Sequence, residues 1–138
     1  MFNEGYERMP KKQLREEQLD RLKWSVRHAY ENVPAYQKKY DAAGFHPDQI
    51  KSLDDIRRIP LLTKEEMREN YPFGLFACSP RNVVRLHSSS GTTGNATVAG
   101  YTARDLDVFA ELVARCLVAY GGTPQDVLQV AYGYGLFT

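Results

Sequence analysis

The chain has 138 residues, 43% of them hydrophobic and 12% aromatic, with 18 Lys and Arg against 17 Asp and Glu. Length and apolar content suit a folded domain and exclude a disordered chain. A net charge of +1 argues against an electrostatic nucleic-acid binder, which needs a basic excess on one face.

The charges are uneven. Residues 1–71 hold 14 of the basic and 13 of the acidic side chains, so residues 72–138 are apolar and Gly-rich by comparison. The first part is expected to be a solvated helical region. The second is expected to be the start of an α/β domain. No run approaches the roughly 18 apolar residues that cross a bilayer, so no membrane role is expected. Residues 1–5 lack the charged start and apolar centre of a signal peptide. Cys78 and Cys116, with His28, His46 and His87, show no metal-ligand spacing. Free thiols in a reducing cytoplasm are the simplest reading.

In chain order, residues 11–32 predict an amphipathic helix, with Leu19, Leu22, Val26, Ala29, Tyr30 and Val33 at three- and four-residue spacing. Pro34 ends it or restarts a new turn, because a residue before proline leaves the helical region. A second helix is expected over 35–43, stopped by Gly44. Ser52 with Asp55, and Thr63 with Glu66, are capping-box starts for two short helices. Residues 82–87 and 97–101 read as short strands. Thr102, with Asp105 three residues on, caps a third clear helix. Its apolar stripe is Leu106, Phe109, Leu112, Val113, Cys116, Leu117 and Tyr120, and Gly121, Gly122 and Pro124 close it. Residues 127–131 read as a further strand. Strand, helix, strand is a βαβ unit, which predicts parallel pairing and an α/β architecture.

The most informative stretch is Ser88-Ser89-Ser90-Gly91-Thr92-Thr93-Gly94. Five hydroxyls and two glycines in seven residues suit a bound anion. Glycine permits tight turns and close approach, successive N–H groups form an anion nest, and hydroxyls add donors. A flexible Ser/Gly tether is the alternative, but strands on both sides argue for a ligand cradle. It is not a Walker A loop, since only Thr92 and Thr93 separate the glycines and Asn95 follows. Arg85 and Arg104 are nearby candidates for anion contact or for plain surface charge. Further on, Tyr132-Gly133-Tyr134-Gly135-Leu136-Phe137 alternates glycine with flat apolar walls, suited either to an aryl ligand or to core packing.

The stretch Leu86–Thr102 resembles the nucleotide loop of the adenylate-forming acyl-CoA ligases. Thr97 and the Gly100-Tyr101-Thr102 tail resemble the phenylacetate–CoA ligase branch. Asn32-Val33-Pro34-Ala35-Tyr36, Ile59-Pro60-Leu61-Leu62-Thr63-Lys64 and the stretch 129–138 carry the same resemblance. Two departures stand out: the family often has Lys where Asn95 lies and Pro where Ala96 lies. The family's ligases are also several hundred residues long, so the resemblance covers their N-terminal third.

The resemblance implies that Ser89, Ser90, Gly91, Thr92, Thr93, Gly94 and Thr97 bind nucleotide phosphates, and that Tyr132, Tyr134, Gly135 and Phe137 line an aryl-acid site. It implies ATP, Mg²⁺ and coenzyme A, with the acid as substrate. The adenine motif, the ribose-binding aspartate and the catalytic lysine are expected outside these residues. The chain alone is accordingly expected to be inactive, as a truncated frame, a fragment or part of a split enzyme. Its expected partner is a C-terminal ligase segment or a second copy. The rival expectations are a stand-alone nucleotide-binding module and a helical dimerisation domain.

Overall fold

A computed structural model describes residues 1–89 and 97–131. A single turn, α1 (Glu4–Glu7), precedes the long helix α2 (Lys11–Asn32). Helix α3 follows at once over Pro34–Ala42, with Pro34 in its first turn. That position suits proline, whose missing N–H would have no helical partner there. Gly44 adopts φ +63°, the left-handed conformation that ends α3 without a Cβ clash.

The α2–α3 pair encloses the core. Val26, Tyr40, Phe45 and Ile50 are buried together, with Leu19, Leu22, Tyr30, Tyr36 and Ile59 packed around them. The predicted stripe on α2 is therefore the face that α3 covers. Tyr40 meets Tyr36 and Phe45 edge-on, at ring separations of 5.8 and 5.1 Å. Each buried side chain of this size contributes about 1.5–3 kcal/mol. Polar ties frame the cluster: the Tyr30 hydroxyl donates to Asp41 at 2.8 Å, and Arg27 pairs with Asp48.

Both capping boxes form. Ser52 and Asp55 start a 3₁₀ turn over Leu53–Arg58, and Thr63 and Glu66 start α4 (Lys64–Glu69). Glu66 has a second task. Its carboxylate accepts from Lys39 Nζ at 2.6 and 2.8 Å, which fastens α4 to α3. The Lys39 ammonium, then the Thr63 N–H, hold the Glu66 carboxyl down at about 2, from an ordinary 4.5. Backbone N–H groups of Lys51 and Ser52 lower Asp55 to about 2 in the same way.

Strands β1 (Val83–Ser88) and β2 (Val98–Thr102) pair antiparallel, and α5 (Ala103–Ala119) follows directly. A bulge between Val83 and Arg85 shifts the register. The Thr102–Asp105 capping box is present, and Gly121 at φ +92° ends α5. The expected strand at 127–131 is not formed. Those residues join no ladder, and Val127 is 98% exposed. A strand needs a neighbour to take its N–H and C=O groups, and none of the described strands is placed beside it. The described sheet is thus an antiparallel hairpin, without the parallel βαβ pairing expected from the pattern. No residue of α5 is buried, and Val108, Phe109, Leu112, Val113 and Leu117 are among its exposed apolar side chains.

Two outcomes follow from this packing. Glu66 and Asp55 bind protons less readily folded than unfolded, so the stability they confer is present above about pH 4.5 and lost as pH falls toward 2. Helix melting followed by circular dichroism should weaken over that range. Glu66→Gln should melt lower at pH 7 and show a shallower acid dependence, and parallel pH profiles for the two proteins would contradict the pairing. The purified chain should also bind an apolar dye and self-associate through the uncovered α5, as exposed apolar patches do. A dye-silent, monodisperse monomer with cooperative unfolding would be the opposite result.

Candidate functional site

The hydroxyl-rich loop springs from the tip of the β1–β2 hairpin, where Ser88 faces Val98. The next two residues close its neck. Ser89 N–H donates to the Thr97 carbonyl at 3.0 Å, and Thr97 N–H donates to Ser89 Oγ at 2.9 Å. Ser88 is only 4% exposed, and its hydroxyl donates to the Ser89 carbonyl at 3.2 Å. Of the predicted phosphate-binding residues, the structure thus brings Ser89 and Thr97 into direct contact. Ser90, Gly91, Thr92, Thr93 and Gly94 lie outside the described residues, as do Asn95 and Ala96. So do Tyr132, Tyr134, Gly135 and Phe137 of the predicted aryl site.

The hairpin is braced on both faces. On one, the His87 and Tyr101 rings lie 4.9 Å apart, and Tyr101 stands 6.4 Å from Phe109 of α5. This is a diagonal cross-strand pair, since His87 faces Ala99 and Arg85 faces Tyr101. On the other, Phe76 lies against Gly100. A Cβ at Gly100 would come within 2.7 Å of the Phe76 ring and 3.2 Å of Val83. Glycine is needed there for that close approach, not for its backbone freedom. Sequence reasoning did not assign Phe76 a place. The available signal was Gly100 itself, because glycine inside a strand marks a bulge or a near neighbour.

Arg85 and Arg104 are both exposed. Arg104 lines an open cleft of about 1300 Å³ between α2, residues 75–78, β2 and α5, together with Arg21, Trp24, Phe76, Leu112 and Arg115. Neither Ser89 nor Thr97 lines this cleft. Glu7 spans from α1 toward α5: its carboxylate accepts from Asn3 N–H at 3.1 Å and lies 3.4 Å from Arg115 Nε. Those contacts, led by the Asn3 N–H, lower its pKa. Among the described residues no three His, Cys, Asp or Glu side chains gather to hold a metal ion. No helix among the described residues is long and apolar enough to cross a membrane.

No protein-family model matches the chain. Curated proteins do. The phenylacetate–coenzyme A ligase of Aromatoleum evansii is 55% identical over 135 residues, 98% of this chain and 31% of that protein. That of Escherichia coli is 58% identical over 121 residues, 88% of this chain and 28% of that protein. That of Thermus thermophilus is 50% identical over 138 residues, 100% of this chain and 31% of that protein. Among solved structures, 2-hydroxyisobutyryl-CoA ligase in an open conformation with 2-HIB-AMP and CoA superposes with a TM-score of 0.82 at 31% identity, over 93% of this chain and 30% of that one. The same ligase in the thioesterification state gives 0.76 at 35% identity, over 86% of this chain and 26% of that one. The helices and the small antiparallel sheet therefore form an incomplete part of the α/β fold of adenylate-forming CoA ligases. The chain spans about 30% of the length of the relatives it matches, and from end to end it is similar to the N-terminal third of the phenylacetate–coenzyme A ligases.

Proposed function

We propose that this chain is the N-terminal portion of an ATP-dependent aryl-acid–CoA ligase, with phenylacetate or a related aryl acid as substrate. The observation that carries the reading is 50–58% identity to phenylacetate–coenzyme A ligases along the chain. The hairpin supports it, because a braced strand pair presents the hydroxyl-rich segment between two fixed ends.

In this reading the acid's carboxylate attacks the α-phosphorus of ATP and pyrophosphate leaves. The thiol sulfur of coenzyme A then attacks the acyl carbon, and AMP leaves. The chain's part is to hold the β- and γ-phosphates in line while charge shifts onto the phosphoryl oxygens. The Thr92 and Thr93 hydroxyls, with backbone N–H groups of the segment from Ser90 to Gly94, are the donors, and Ser89 and Thr97 stand at its two ends. Mg²⁺ would enter with ATP and would supply neutralising charge for its phosphates. Tyr132, Tyr134, Gly135 and Phe137 line the aryl group. Residues 1–71 form the helical support, and residues 72–138 begin the nucleotide- and acyl-binding domain. The catalytic lysine and the adenine and ribose contacts come from the rest of the ligase, which works in the cytoplasm.

The test is to complete the chain with the C-terminal part of its Escherichia coli relative and to measure AMP formation from ATP, phenylacetate and coenzyme A. Turnover is expected from the completed ligase and none from the 138 residues alone. Thr92→Val and Gly94→Pro should abolish ATP binding in calorimetry. Loss of one such donor lowers the rate on the order of 10²-fold. Unchanged nucleotide affinity in both variants would remove the loop from the site. ATP binding without turnover would favour a stand-alone nucleotide-binding module, and no binding a helical interaction domain.

A further inference from the structure

The neck of the loop departs from an ordinary strand pair in one respect. Facing residues of an antiparallel ladder alternate between pairs that exchange both N–H···O=C bonds and pairs that exchange none, and the Ser89 N–H to Thr97 bond marks a pair of the first kind. At Ser89 and Thr97 only one of these forms: Ser89 N–H reaches the Thr97 carbonyl, whereas Thr97 N–H goes to the Ser89 hydroxyl. The Ser89 carbonyl instead accepts from the buried Ser88. A side chain therefore stands in for the backbone acceptor at the last pair among the described residues on this side of the hairpin.

Three consequences follow from hydroxyl chemistry. Oγ uses a lone pair on Thr97 N–H and keeps its own proton to donate. Alanine at this position would leave Thr97 N–H without an acceptor. Threonine would keep the oxygen. The hairpin below the neck is packed on both faces, with Phe76 against Gly100 on one and the His87–Tyr101–Phe109 rings on the other. The strands that carry Ser89 and Thr97 are therefore held on both faces.

We infer that Ser89 is a positioning residue: by accepting Thr97 N–H it fixes the span over which the phosphate-binding segment leaves and re-enters the sheet. The inference rests on the nucleotide reading above. It gives Ser89 a task different from that of the loop's other hydroxyls, whose part is to meet phosphate directly.

Two measurements test it. Amide hydrogen exchange at Thr97, in the chain as it stands, should be slow in the wild type. It should be about tenfold faster in Ser89→Ala, the scale of one lost hydrogen bond, and slow again in Ser89→Thr. In the completed ligase, KM for ATP should rise about tenfold in Ser89→Ala and recover in Ser89→Thr. The rate of thioester formation from supplied phenylacetyl-adenylate should not change in either variant, because that step needs no β- or γ-phosphate. Circular dichroism should match across the three proteins, since Ser89 is exposed and lies outside the core. Retained Thr97 protection in Ser89→Ala would overturn the inference. So would faster exchange with an unchanged KM, or a fall in the adenylation rate that Ser89→Thr does not restore. If ATP binds the completed wild-type ligase but Ser89→Ala binds it equally well, only the positioning role fails. If the wild type binds no ATP, the nucleotide reading fails and this role falls with it.

Discussion

Pro34 has no N–H to donate, and its ring forces the preceding residue out of helical geometry. Val33 accordingly lies at φ −124° and ψ 105°, so α2 stops and α3 starts within one residue. The bend lays Tyr40 over Val26 and draws Phe45 and Ile50 into the same cluster. Val33 is itself only 1% exposed, sealed at the corner it creates. The bend also sets Lys39 where it meets Glu66, which fixes α4 and the path of the chain toward the hairpin. An unbroken helix through these residues would carry the same apolar stripe with nothing folded back to cover it.

Where chemistry acts over three or four residues, the fold was legible beforehand. The three capping boxes, the proline break and the glycine ends at Gly44 and Gly121 are such cases, and the helices they bound lie within a residue or two of their expected places. Contacts between distant positions were not legible. Nothing in the spacing of Lys39 and Glu66, 27 residues apart, announces an ion pair. Phe76 on Gly100 is of the same kind. The two strands were readable as strands, but pairing direction is a tertiary property, and the parallel arrangement was tied to a segment, 127–131, that has no partner here. The site was legible as chemistry: hydroxyls and glycines between strands suggested an anion cradle. That Ser89 turns its oxygen to a backbone N–H across the neck depends on the register of Ser88 with Val98, which composition does not encode.

Helix α5 separates two things that are often treated as one. Its formation is local: Thr102 and Asp105 cap one end and Gly121 releases the other. Its covering is not, because Val108, Phe109, Leu112, Val113 and Leu117 each keep 39–52% of their surface exposed. A helix of this composition is stable in position only when something apolar lies on it, since tertiary packing supplies most helical stability in proteins. The relatives are about three times as long as this chain, and in the proposed reading their further residues supply that cover.

What fastens α5 to the start of the chain is polar. Asn3 donates to Glu111 at 2.6 Å across 108 residues of sequence, and Glu7 pairs with Arg115. Dissolved ions screen such partly exposed contacts, whereas they leave burial of the Val26–Ile50 cluster intact or strengthen it. Ionic strength is therefore a means of acting on the two ends of this fold separately. Added salt slackens the tie between the first turn and α5 while the α2–α3 core holds.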